Sequence, residues 1–115
     1  MTVTIYHNPR CSKSRETLKL LQDKGIEPKI VEYLQSPPSK TKLKEILKLL
    51  GLKPRELMRR KEAEYKARGL DDDSLKTDEL IDAMIATPKL IERPIVLANG
   101  KAALGRPPEA VLEIL

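Results

Sequence analysis

The chain has no Phe and no Trp, and it carries only three Tyr, one His and one Cys among its 115 residues. A single thiol excludes any intramolecular disulfide, so both the stapled frameworks of small secreted proteins and the C-x-x-C redox pair are ruled out. Four-cysteine zinc sites fall with them, and one His beside one Cys supplies too few soft ligands for a metal centre. Without large aromatics the core must be aliphatic. No apolar run approaches the ~20 residues of a membrane span, and the N-terminus opens on an alternating segment rather than on a charged region followed by an apolar one. The chain is therefore expected to be cytoplasmic, with no membrane partner. The length suits one domain over residues 1–115, and no internal repeat appears.

What is present is a charged surface and an ordinary apolar fraction. Charged residues make up 34% and hydrophobic residues 40%, far from a disordered composition. Lys and Arg number 22 against 17 Asp and Glu, a net charge of +5. Acidic residues interrupt the basic ones throughout, and there is no aromatic ladder for stacking bases, so nucleic acid is not the expected partner. Small anions are a better use of that charge.

Thr2-Val3-Thr4-Ile5-Tyr6 alternates in the manner of a half-buried strand, and His7-Asn8-Pro9-Arg10 breaks it. A helix is expected from about Ser12 to Lys24, stopped by Gly25, with Cys11 at its N-terminus. Lys29 to Leu34 reads as a second strand, so these segments make a βαβ unit with parallel strands. Ser39 or Thr41 can cap the next helix, whose Leu43, Ile46, Leu47 and Leu50 recur at helical spacing. Pro54 to Gly69 reads as one further helical piece, and Thr77 as the cap of another. Asn99-Gly100, between Ile95-Val96-Leu97 and Lys101 to Leu104, is a strong hairpin signal. Pro107-Pro108 introduces a terminal helix. This order is that of the α/β thioredoxin-like fold, a four-stranded mixed sheet with a helical insertion, here about residues 39–90, between its βαβ and ββα halves.

A thiol attacks as thiolate, and its pKa falls at helix N-termini and beside cations. Cys11 meets both conditions, flanked by Arg10, Lys13 and Arg15, and those charged neighbours argue against a buried thiol. The unpaired N–H groups of the same helical turn can hold an anion. Ser14 stands where a dithiol enzyme has its second cysteine, so its hydroxyl can hydrogen-bond the thiolate but cannot resolve a mixed disulfide. His7 either supports the thiolate or is a strand-end histidine bonded to backbone. The spacing from Cys11 to Arg15 is too short for the C-x5-R loop of thiol phosphatases. Arg93 precedes Pro94 at the start of the third strand, making Arg93-Pro94 a candidate cis bond, and Arg106 follows the hairpin. Arginine forks suit tetrahedral oxyanions.

These residues together resemble the glutaredoxin-dependent arsenate reductase family. The resemblance runs through Ile5-Tyr6-His7-Asn8-Pro9-Arg10-Cys11, Ser14-Arg15, Tyr33-Leu34, Glu56-Leu57-Met58-Arg59, Leu90-Ile91-Glu92-Arg93-Pro94-Ile95-Val96 and Gly105-Arg106-Pro107. The string from His7 to Arg15 is most similar to the short YfgD-type branch. The resemblance implies that Cys11 is the nucleophile toward arsenate and that Arg59, Arg93 and Arg106 bind the oxyanion, with register selecting Arg59 over Arg60. It also implies that His7 and Ser14 tune the thiol, with glutathione as co-substrate, glutaredoxin as protein partner and no bound cofactor. Longer members continue past the position of Leu115, and Ser12-Lys13 replaces smaller residues, where Lys13 can strengthen anion attraction. Two other readings belong to the same scaffold: a thiol oxidoreductase or deglutathionylase acting on another substrate, and a non-enzymatic regulator that binds RNA polymerase. Members of that regulator branch commonly carry C-x-x-C, which Ser14 interrupts here.

Overall fold

The structure, a computed structural model, describes residues 2–115. They form two compact units: the chain up to Ser36 together with Arg93–Leu115, and Pro37–Glu92.

The first unit holds a four-stranded mixed sheet of the thioredoxin-like kind, built from β1 (Thr4–Tyr6), β2 (Lys29–Val31), β3 (Ile95–Ala98) and β4 (Lys101–Leu104) in the order β2-β1-β3-β4. β1 runs parallel to β2 and antiparallel to β3, and β3 to β4 is antiparallel. Helix α1 (Ser12–Asp23) makes the crossover from β1 to β2. Ile5 stands opposite Val96 in the register, and both are fully buried. They pack with Val3 and Ala98, with Leu21 of α1, and with Val111 and Ile114 of the last segment. This cluster is aliphatic, but the core as a whole is not, and the expectation is corrected there: Tyr6, Tyr33 and Tyr65 are all buried, their rings supplying apolar area that the missing Phe and Trp would otherwise give. The hairpin turn is made by Asn99 (φ 55°) and Gly100 (φ 71°), the paired positive φ values that an Asn-Gly type I′ turn needs.

The second unit is helical, with α2 (Lys40–Leu50), α3 (Pro54–Leu57), α4 (Ala63–Ala67) and α5 (Thr77–Ala86). Of the two cap candidates for α2, Ser39 does the work, its Oγ accepting from the Lys42 N–H at 3.1 Å. Lys40 and Lys44 of α2 pair with Asp82 and Asp78 of α5, each at 3.1 Å. Arg55 donates to the Tyr65 hydroxyl at 2.7 Å and to the carbonyls of Leu70 and Asp72, tying down the turn after α4.

Several expected elements are corrected. The helical piece from Pro54 to Gly69 is two short helices, because Met58 leaves helical geometry (ψ 143°) to bridge Ile91. The Arg59 N–H donates to the Leu90 carbonyl at 2.7 Å and the Glu92 N–H to Leu57 at 2.8 Å, so a non-local pairing overrides local propensity. The second strand ends at Val31 instead of Leu34, since Gln35 and Ser36 both donate back to the Glu32 carbonyl and turn the chain. Lys76, rather than Thr77, occupies the N-cap of α5. The terminal helix is a 3-10 helix over Pro108–Ile114, opened by an Ala110-to-Pro107 bond of the i to i−3 kind.

Candidate active site

The turn between β1 and α1 is built by its own side chains. Asn8 Oδ1 accepts from the Arg10 N–H at 3.0 Å, and the Asn8 carbonyl accepts from the Cys11 N–H at 3.0 Å. Arg15 reaches back from α1 to the Pro9 carbonyl, also at 3.0 Å. Cys11 is left as the N-cap of α1, with extended φ and ψ of −93° and 124°.

Cys11 is 8% exposed, so the expected open thiol is corrected to a buried one. Its charged neighbours point outward while the sulfur turns toward the helix start. Burial pushes the thiol pKa up, but the backbone N–H of Ser14, the charge of Arg93, the backbone N–H of Lys13 and the charge of Arg106 together outweigh it. The result is a thiol held below its ordinary pKa, the state that a nucleophile needs.

Ser14 is fully buried, and its hydroxyl does not serve the sulfur as expected. Its Oγ lies 2.6 Å from His7 Nδ1 and accepts from the Asn8 N–H at 3.0 Å. Ser14 acts on Cys11 through its backbone N–H instead. His7, also buried, is a bonded strand-end histidine whose N–H donates to the Val31 carbonyl at 2.8 Å. Its pKa is lowered by burial, against a raising influence of Glu32, with Arg15 adding to the lowering. The ring is therefore neutral at pH 7. A Ser14 hydroxyl that donates to Nδ1 while accepting from the Asn8 N–H places the ring proton on Nε2. Ser14→Ala should accordingly cost about 1–3 kcal/mol of stability, because the buried ring and the Asn8 N–H lose a partner. It should shift the thiol pKa less than loss of Arg93, since the N–H at position 14 survives. Urea denaturation and the pH profile of Cys11 alkylation check the two halves.

Arg93 is half-buried, and its bond to Pro94 is cis, as the sequence predicts; Arg106-Pro107 is a second cis bond that the sequence did not signal. Arg106 Nε donates to the Arg93 carbonyl at 3.1 Å, so the two arginines are joined directly. Cys11, His7, Ser14, Arg93 and Arg106 all belong to the first unit. Arg59 belongs to the second unit, where Nη1 lies 2.8 Å from Glu62 Oε1 and Nε 3.3 Å from Glu92 Oε1. Lys89 Nζ holds the other Glu62 oxygen at 3.4 Å. Sequence reasoning missed these two carboxylates, although the spacing of Glu62 three residues after Arg59 was a usable signal. Arg60 is exposed. Among the described residues no group of three or more His, Cys, Asp or Glu is placed to hold a metal, and no helix is long and apolar enough to cross a membrane.

The profile of the ArsC family matches residues 6–114. The chain is 60% identical to the uncharacterized protein YfgD of Escherichia coli K12 over 98% of its own length and 96% of that protein. It is 51% identical to an arsenate reductase of Neisseria meningitidis over 98% of its length and 97% of that enzyme's. Among solved structures, the arsenate reductase from Vibrio cholerae superposes with a TM-score of 0.97 at 56% identity, covering 100% of this chain and 98% of that one.

Proposed function

The chain belongs to the ArsC family, and from that premise we propose that it is an oxidoreductase that reduces arsenate to arsenite through Cys11. The observation that carries the reading is the thiol itself: the chain's one cysteine, at a helix N-terminus, with two backbone N–H groups and two arginines favouring its thiolate. Sequence relatives over nearly the full length that are named arsenate reductase support the substrate.

In the proposed reaction the Cys11 thiolate attacks arsenic and forms a sulfur–arsenic bond, while the bond to an arsenate hydroxyl breaks and that hydroxyl takes one proton from solvent to leave as water. Glutathione then attacks the Cys11 sulfur. The electron pair of the sulfur–arsenic bond passes to arsenic, which leaves as arsenite, two electrons richer, while Cys11 and glutathione are left as a mixed disulfide. With Ser14 in place of a second cysteine the chain cannot resolve that disulfide itself, so glutaredoxin supplies the thiol that restores Cys11. Arg59, Arg93 and Arg106 are proposed as the oxyanion-binding set, Arg59 on the family resemblance and the other two with the added support of their influence on the thiol. Paired guanidinium donors offset the charge that arsenate brings toward an anionic sulfur. His7 and Ser14 hold the turn that presents Cys11. The proposed use of glutathione fits a reducing compartment, and the cytoplasm is the location proposed with it.

Arsenite production is expected when purified protein is given arsenate, glutathione, glutaredoxin and glutathione reductase with NADPH, and omission of either thiol component should stop it. Arsenite at background level in the complete mixture would overturn the substrate assignment.

A further inference from the structure

Gly105 differs from every other glycine of this chain. Gly25, Gly51, Gly69 and Gly100 take positive φ and have open space where a Cβ would stand. Gly105 needs no unusual φ, yet a Cβ there would collide with Thr17 Oγ1, stand 2.7 Å from Pro94 Cγ and lie 3.2 Å from Thr17 Cγ2. Its requirement is space. Its N–H donates to the Pro94 carbonyl at 3.0 Å, fixing the approach from the strand side.

We propose that Gly105 is a positioning residue for the Cys11 site, its missing side chain letting the backbone that leads into Arg106 close onto Thr17 of α1 and Pro94. This rests on the reading of Cys11 as the nucleophile. Each neighbour that a Cβ would push is one step from the thiol. Thr17 donates through Oγ1 to the Lys13 carbonyl at 2.8 Å, and Lys13 lies in the helical turn whose N–H groups face the sulfur. Pro94 follows Arg93, whose carbonyl takes the Arg106 Nε. A methyl group at position 105 therefore pries the first turn of α1 away from the two arginines that share the site. The contacts are all inside the first unit.

The test uses Gly105→Ala, with circular dichroism and thermal melting as a check of fold. Cys11 is the only thiol, so iodoacetamide reports it uniquely. The midpoint of the alkylation pH profile should rise by about one unit, slowing alkylation roughly tenfold at a pH below it. kcat/KM for arsenate should fall with it. Adding Thr17→Ala removes two of the three clashing atoms, and the double variant should return toward the profile of Thr17→Ala alone. A folded Gly105→Ala with the wild-type profile overturns the proposal, as does a double variant no closer to its reference than the single. Should Gly105→Ala not be recovered folded, the double variant decides: a folded protein with its reference profile supports the proposal, and failure to fold overturns it. A shifted alkylation profile in a protein whose wild type reduces no arsenate would sink the substrate reading and leave the positioning role standing.

Discussion

Cys11→Ser is expected to bring arsenate reduction down to the uncatalysed background, a loss on the order of 10⁴ or more, as for removal of an enzyme's nucleophile. Two separate steps fail. A serine hydroxyl is not appreciably ionised where a depressed thiol is, so the attack on arsenic loses its nucleophile. Even an oxygen–arsenic ester would be a dead end, because oxygen cannot take up glutathione as a disulfide and the two electrons have no route to arsenic. Arsenite release in the coupled assay reads this directly. The same variant isolates the stability carried by the thiolate. The folded thiol pKa lies below the unfolded value, so ionisation stabilises the fold fully above the unfolded pKa, and that contribution is lost as pH falls through the folded one. The denaturation midpoint of wild type relative to Cys11→Ser should therefore rise as pH climbs through the lowered folded pKa and level off above the ordinary thiol value. A difference that stays flat with pH would show that the thiolate is not favoured in the folded state.

Features of the site that depend on local chemistry were legible in the sequence. The polar break after Tyr6 placed Cys11 at a helix start, and the N-cap position in the structure follows from it. Asn99-Gly100 marked the hairpin, and Pro94 marked the cis bond after Arg93. What escaped depends on contacts between distant residues. Met58 and Arg59 lie in a stretch of good helix formers, yet backbone pairing with Leu90 to Glu92 draws them out of the helix, and no local pattern announces a partner some thirty residues away. The Ser14 hydroxyl had a plausible use beside the sulfur three residues earlier. Burial of His7 gave it a better one, because a neutral ring excluded from water needs a hydrogen-bond partner more than a thiolate already served by backbone N–H groups does. Gly105 looked like part of a Gly-Arg-Pro string, and only the packing of Thr17 and Pro94 around it shows why no larger residue fits.

Arg93→Ala should lower kcat/KM for arsenate by about 10² to 10³, the range seen when one preorganised donor to a developing oxyanion is removed. Its effect on the thiol is separable from its effect on the substrate. Arg93 depresses the Cys11 pKa more than Arg106 does, and it is half-buried where Arg106 is exposed, so water screens it less. The alkylation midpoint should consequently rise more in Arg93→Ala than in Arg106→Ala. The bond from Arg106 Nε ends on the Arg93 carbonyl, a backbone atom that persists in the variant, so Arg106 keeps that anchor. Arg93→Lys separates charge from shape: an ammonium at this position should restore most of the thiol pKa while leaving arsenate KM high, because a point charge does not reproduce the paired donors of a guanidinium. Full recovery of both by lysine would mean that the site needs only positive charge here. Wild-type kinetics and thiol profile in Arg93→Ala would remove Arg93 from the oxyanion site.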